Sequence, residues 1–385
     1  MEQLDLKQRN TGYFAFFLSG ICSISSGIVV SMLQEQIGFD YGMTGTLLSL
    51  MSIGNLLAGF AAGLLSGKLG MKRTVAILSV GYLLGYAIMT TADWVALLAI
   101  AFFAVGLGKG SAINTCTILV SNNCTDRTKG MNLLHSCYAL GAFLCPFVIS
   151  AAALASGRMP MALLAVSGGL LWLSFLRVPM EDGEKAGKTG TDWSFLKSKK
   201  FWLLTGLLFC QNSAEMNVNG WMVTYFKGSG ILSGAMSAYT VTVMWGATLL
   251  ARLLIAFVFP LKKPEKSMIK MGVGCTIFYM CLMQTNSQWP AILLLFAFSA
   301  SMAGMNPTAV AAAGRMTSVA SMGVMLPAAS AGAILMPWIT GLVAERMGIG
   351  AGMACNIVPC AGMLLFSVAV KRLADQERDV LEMSA

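Results

Sequence analysis

Along the chain, long apolar stretches alternate with short polar clusters. A bilayer hydrocarbon core about 30 Å thick needs roughly 20 helical residues to cross. By that measure twelve stretches qualify: 13–33, 44–65, 74–91, 94–121, 131–155 and 161–176, then 201–226, 234–260, 268–284, 289–313, 321–344 and 350–370. Charged residues gather between these stretches and do not line amphipathic faces, so a large soluble core does not fit. The pattern predicts an all-α membrane protein of twelve transmembrane helices in two six-helix, pseudo-symmetric bundles. Residues 1–176 form the first bundle, 177–200 a linker and 201–385 the second. The linker segment EDGEKAGKTGTD is charged and contains glycine, as flexible connections do.

The basic residues orient this layout. With the N-terminus cytoplasmic, 21 of the 26 Lys and Arg fall in cytoplasmic segments, three fall outside, and Lys109 and Arg252 lie within spans. A wrong span count would scramble that split, so both termini and the linker are expected in the cytoplasm. No small-residue cleavage site follows the first apolar run, which is expected to remain in the mature chain. The expected location is the bacterial cytoplasmic membrane, as a monomer in the lipid bilayer.

Composition narrows the function. The chain is 56% hydrophobic and only 11% charged, against about 25% charged in ordinary soluble domains. The net charge of +9 does not form a stripe or patch, so nucleic acid is not an expected partner. Nearly all ten Cys lie in apolar runs without a Cys-x-x-Cys pair, and there is one His, so no metal site is expected. No Gly-Lys-Ser/Thr phosphate loop occurs, and neither ATP nor another cofactor is implied. The chain is not expected to be an enzyme.

Charge inside a span costs roughly 2.5–3.5 kcal/mol even on lenient insertion scales and so demands a reason. Every acidic residue but Glu215 fits a loop, a tail or a helix end. Glu215 and Lys109 both fall near the midplane, in the seventh and fourth helices. Arg252 and His135 sit nearer the cytoplasmic ends of the eighth and fifth. On the seventh helix Gln211 and Asn212 lie one turn before Glu215, and Asn219 one turn after, on a shared face. Asn114 lies on the fourth helix. Asn306 lies on the tenth, where Pro307 would release a backbone carbonyl. Ser19, Ser23 and Ser26 stripe the first helix and read as small packing residues. Trp221, Tyr225 and Trp245 are candidates to stack on the apolar face of a sugar.

The loop after the second helix carries Gly63, Leu65, Lys68, Gly70 and Lys72, and resembles the signature loop of the major facilitator superfamily. The family's acidic position falls on Gly67 here. Several further segments resemble its fucose-permease-like branch of proton–sugar symporters. They are Asn132 to His135, Gly141 to Pro146, Gly220 to Tyr225, Trp245–Gly246, Ala251–Arg252, Gly304 to Pro307, Gly314–Arg315 and Pro337 to Gly341. The resemblance implies a secondary transporter whose first, fourth, seventh and tenth helices line a central path between rocking halves. It departs from the fucose permease in one respect: the first helix holds no acid, and the fourth holds Lys109 and Ser111 where an acid is expected.

These features predict a proton-coupled symporter of a sugar or similar small polar solute. Lys109, Asn114, Gln211, Glu215, Asn219, Trp221 and Asn306 would bind substrate. Glu215 and Lys109 would couple the proton, facing one another from opposite halves. Gly63, Lys68, Gly70, Lys72, His135, Arg252 and Arg315 would serve gating or structure. A cavity with Lys109 and Arg252 against a single carboxylate has net positive charge, so transport of an organic anion, a carboxylate or an acidic sugar, is the alternative. Drug efflux through a Met-rich cavity and a non-transporting scaffold are further alternatives.

Overall fold

The computed structural model describes residues 2–125, 127–180, 194–258, 261, 263–316 and 319–384. Among them are helices, one 3-10 turn and no strand. Twelve long helices follow in chain order. The first six are α1 (Gln3–Ile37), α2 (Tyr41–Leu69), α3 (Met71–Thr91), α4 (Val95–Asn122), α5 (Arg127–Ala153) and α6 (Met159–Leu176). The other six are α7 (Lys199–Ser229), α8 (Gly234–Phe257), α9 (Pro264–Gln284), α10 (Gln288–Ala313), α11 (Val319–Met347) and α12 (Ile349–Gln376). The expected linker lies partly outside the described residues, and Ser194–Lys197 is the 3-10 turn.

Ten of these helices are long and apolar enough to cross a membrane by length and composition. The other two are α7 and α9. Their mean hydropathy is lowered by particular residues: Gln211, Asn212, Glu215, Asn217 and Asn219 in α7, and Glu265, Lys266 and Lys270 at the start of α9. Large apolar side chains are exposed along the bundle, among them Ile77, Leu293, Val358 and Leu365. Such surfaces suit hydrocarbon and not water.

Three helices are interrupted, each for a local reason. In α1 the ladder breaks at Ser25, whose hydroxyl donates to Cys22 O at 2.9 Å, and the Tyr86 hydroxyl takes the same carbonyl. Hydroxyls that compete for helix carbonyls bend helices this way. In α10 the turn at Ala303–Gly304 precedes Pro307, which has no N–H to offer the Ala303 carbonyl. In α12 the break at Cys355–Asn356 is tied down by Tyr279, whose hydroxyl donates to Met353 O at 2.8 Å.

The serines of α1 tie it to α3. Tyr82 of α3 is fully buried, and its hydroxyl lies 3.0 Å from Ser19 Oγ and 2.5 Å from Ser23 Oγ. Ser25 Oγ lies 2.7 Å from the Tyr86 hydroxyl. Ser19 and Ser23 thus do more than fill space: with Ser25 they satisfy two buried phenols, whereas Ser26 bonds only to Ser23 O of its own helix.

Where the first six helices meet the last six, contact concentrates at the bundle end opposite the N-terminus. There α2 crosses α11 backbone to backbone: a Cβ on Gly45 would stand 2.7 Å from Pro337 O, and one on Gly341 2.7 Å from Tyr41 O. Only residues without a side chain permit that approach. Around this crossing Ser49 Oγ donates to Ile334 O at 2.7 Å and Tyr41 N–H to Glu345 Oε2 at 2.9 Å. On the far flank Thr242 of α8 donates to Phe143 O of α5 at 3.0 Å, and the rings of Phe147 and Tyr239 lie 5.2 Å apart. Between α1 and α7, Lys227 Nζ lies 2.7 Å from Glu35 Oε1. At the opposite end, which carries the N-terminus, α2 and α11 are parted. A cavity of about 690 Å³ opens there between α2, α3, α4 and α11.

Candidate functional site

The polar residues of α7 organise the middle of the bundle. Gln211 Nε2 donates to the Glu215 carboxylate one turn on. Asn306 Nδ2 of α10 donates to Gln211 Oε1 at 2.7 Å, so the three form a directed chain from α10 to the carboxylate. On the next turn Asn219 Nδ2 donates to Glu215 O at 3.0 Å, and Trp245 Nε1 of α8 donates to Asn219 Oδ1 at 3.2 Å. Gln211, Glu215, Asn219, Trp245, Arg252 and Asn306 line a hollow of about 30 Å³. That is room for one or two waters and not for a solute.

Arg252 uses the vacancy that Pro307 leaves in the α10 ladder. Its Nε donates to Ala303 O at 3.3 Å. The carbonyl released by proline is thus filled by a guanidinium from α8, a tie between two helices of the same half. His135 of α5 is exposed and lies edge-on to Phe16, with ring centroids 5.7 Å apart. Arg252 acts on it electrostatically.

Lys109 comes from the other half. It is 8% exposed, and its Nζ meets Met216 Sδ of α7 at 4.0 Å. A thioether is a weak acceptor. Among the described residues no carboxylate lies within 4.0 Å of this ammonium; the ion pairs there are Arg158–Asp93, Lys227–Glu35 and Lys371–Asp375. Glu215 still acts electrostatically on Lys109. The fourth and seventh helices therefore meet at this level, with the carboxylate turned to Gln211 and the ammonium left on sulfur.

The remaining expected residues are distributed differently. Asn114 lines the large cavity with Asn55 and Ser111, apart from the amides of α7 and α10. Trp221 departs from its expected role in substrate stacking. It is fully buried, donates from Nε1 to Pro337 O at 3.0 Å and packs 6.1 Å from Tyr41, so in this conformation it belongs to the closed end. Its position on the α7 face does not reveal this, because which end is closed is a property of the conformation.

Gly70 joins α2 to α3 at φ +82, a corner that a side chain rarely adopts. Lys68 and Lys72 beside it are exposed. Gly63 lies on α2, but its surroundings fall outside the described residues, as does the side chain of Arg315.

Two residues were not anticipated. Tyr138 of α5 packs 5.5 Å from Trp245 and 4.9 Å from Phe16, joining α1, α5 and α8. Asn55 of α2 lines the large cavity, and an amide inside an apolar run is the sequence signal that marks it.

Comparison with known proteins places this arrangement. A search of curated proteins finds a match to the probable sulfoacetate transporter SauU of Cupriavidus necator, 23% identical over 236 residues. That match covers 55% of this chain and 55% of the other, so the chain spans about half the length of the relative it matches. Among solved structures it resembles a mutant of the nucleoside transporter NupG, with TM-score 0.76, 14% identity and coverage of 96% of this chain and 99% of that one. It also resembles a bacterial homologue of the human lysosomal transporter Spinster in an inward-facing and occupied conformation (TM-score 0.72, 12% identity, 96% of each chain). A third is the E. coli fucose:proton symporter FucP (TM-score 0.65, 14% identity, 95% of this chain and 99% of that one). At these identities the likeness is one of fold. The model of the Major Facilitator Superfamily matches residues 12–326, most of the chain, and the protein belongs to that family of membrane transporters.

Proposed function

We propose that the protein moves a small organic anion across the membrane, with the anionic group received by Lys109 and a proton carried by Glu215. The observation that carries this reading is the Lys109 ammonium, 8% exposed and resting on a thioether. An ammonium so removed from water is costly unless an anion joins it. A carboxylate or sulfonate would supply that partner through charge-assisted hydrogen bonds. The match to a probable sulfoacetate transporter supports the same class.

The neutral-sugar reading has less support. The amides that would recognise hydroxyls, Gln211, Asn219 and Asn306, are engaged with Glu215, Trp245 and each other. A sugar would have to break those bonds before making its own. Protonation of Glu215 would weaken its hold on the Gln211 amide and lower its attraction for Lys109, so proton and anion would bias one rearrangement. If the N-terminus is cytoplasmic, the end that holds the large cavity faces the cytoplasm, which supports an inward-open reading of this conformation.

Flux into proteoliposomes tests this. Sulfoacetate, small carboxylates and a neutral sugar are offered with and without an inward proton gradient. The proposal expects anion uptake that collapses with an uncoupler and is lost in Lys109→Ala. Uptake of the neutral sugar alone, unaffected by that substitution, would sink it.

A further inference from the structure

The large cavity has a chemistry of its own. Asn55 of α2 and Asn114 of α4 both line it, and neither side chain has a hydrogen-bond partner among the described residues. Ser111 is 2% exposed, lines the same cavity and has none either. In contrast, the amides of Gln211, Asn219, Asn306 and Asn356 each bond to protein.

The backbone fixes where the two cavity amides stand. A Cβ on Gly110 would come 2.5 Å from Asn55 O, so α4 is pressed against α2 at that point. One turn further along both helices, a Cβ on Gly59 would stand 3.8 Å from Asn114 Nδ2, so this amide lies over a residue without a side chain. Across the opening stand Leu326, Pro327 and Ser330 of α11. A ligand here would touch both halves at the place where α2 and α11 part.

We propose that Asn55, Asn114 and Ser111 form a hydroxyl-recognising subsite, and that the solute is a hydroxylated anion such as a sugar acid. This rests on the anion reading above and extends it. Each amide offers a donor and an acceptor and the serine offers both in one group, which is the inventory a hydroxyl requires. The cavity's roughly 690 Å³ lies in the range of sites for ligands larger than a two-carbon acid. Hydroxyls that replace water on fixed amides discriminate sharply against analogues without them.

The test measures binding to the purified full-length chain, using three six-carbon probes: gluconate, hexanoate and sorbitol. The native protein should bind gluconate about tenfold or more tighter than hexanoate, the gain expected of one or two such hydrogen bonds. Asn55→Leu and Asn114→Leu should each erase most of that advantage, with hexanoate bound at least as tightly as by the native protein because the new side chains are apolar, and an unchanged helical circular-dichroism spectrum and melting transition show that the variants are folded. Equal affinity for gluconate and hexanoate in the native protein, or variants that bind gluconate as the native protein does, would overturn the subsite. The two proposals separate cleanly. If gluconate and sorbitol bind alike, respond to the asparagine variants and ignore Lys109→Ala, the subsite stands and the anion reading falls. If Lys109→Ala weakens both acids and the asparagine variants do nothing, the reverse holds.

Discussion

Gly45 and Gly341 meet across the two halves so closely that a Cβ on Gly341 would stand 3.0 Å from Gly45 Cα. Nothing but main chain lies between α2 and α11 at that point. Gly45→Leu or Gly341→Leu should therefore hold the closed end apart while leaving each half folded. Labelling of Ser49→Cys by a membrane-impermeant maleimide from that side should rise several-fold, scored against the same variant without the added cysteine, and transport should fall. Unchanged labelling would mean that the crossing is not the seal.

The Lys227–Glu35 pair sits at the same end, 2.7 Å apart, but its side chains are 20% and 60% exposed. Exposed pairs of this kind contribute about 0.2–1 kcal/mol. Glu35→Gln should shift labelling at the closed end by no more than a few-fold, and the shift should shrink in high salt. A complete loss of transport in Glu35→Gln would assign this pair more than an electrostatic trim.

Glu215→Gln tests coupling without dismantling the cluster. The new amide keeps an oxygen to accept from Gln211, so the chain from Asn306 persists. Melting of the purified protein should move by no more than the equivalent of about 1 kcal/mol. Counterflow exchange of anion should continue, whereas accumulation driven by a proton gradient should vanish. Intact proton-driven accumulation would remove Glu215 from the coupling step.

Tyr82→Phe probes the interior of the first six helices. It strips the partner from both Ser19 and Ser23 in a fully buried setting. Leaving buried hydroxyls unpaired costs about 1–3 kcal/mol. Thermal melting should drop accordingly, with the affinity for anion unchanged in the folded fraction.

Much of the architecture was written in the order of apolar and basic residues, because lipid imposes a length and a charge asymmetry on every crossing segment. Even α7 and α9, whose polar residues lower their mean hydropathy, were recoverable, since omitting either would have reversed the Lys and Arg count downstream. Glu215 and Lys109 stood out because charge in a span needs a cause. Partners were harder to foresee. That Gln211 and Glu215 share a face followed from an i,i+4 spacing, and the structure adds the bond between them, but that Lys109 ends on Met216 depends on how two halves are set against each other. Trp221 was misjudged for that reason. Asn55 is hard to read from sequence because an uncharged amide in a span is a weaker signal than a charge.

The crossing of α2 and α11 is smooth: there are no interlocking knobs at its tightest point, only peptide planes passing one another. Such a joint behaves like a plain bearing. Turning about it breaks the polar ties that flank the crossing, Ser49 to Ile334 and Tyr41 to Glu345, but unlocks no interdigitated side chains at the crossing itself. Driving a two-state equilibrium from 1:99 to 99:1 takes about 5.5 kcal/mol of preference, so the nearer the two orientations lie, the less of that preference the solute must supply.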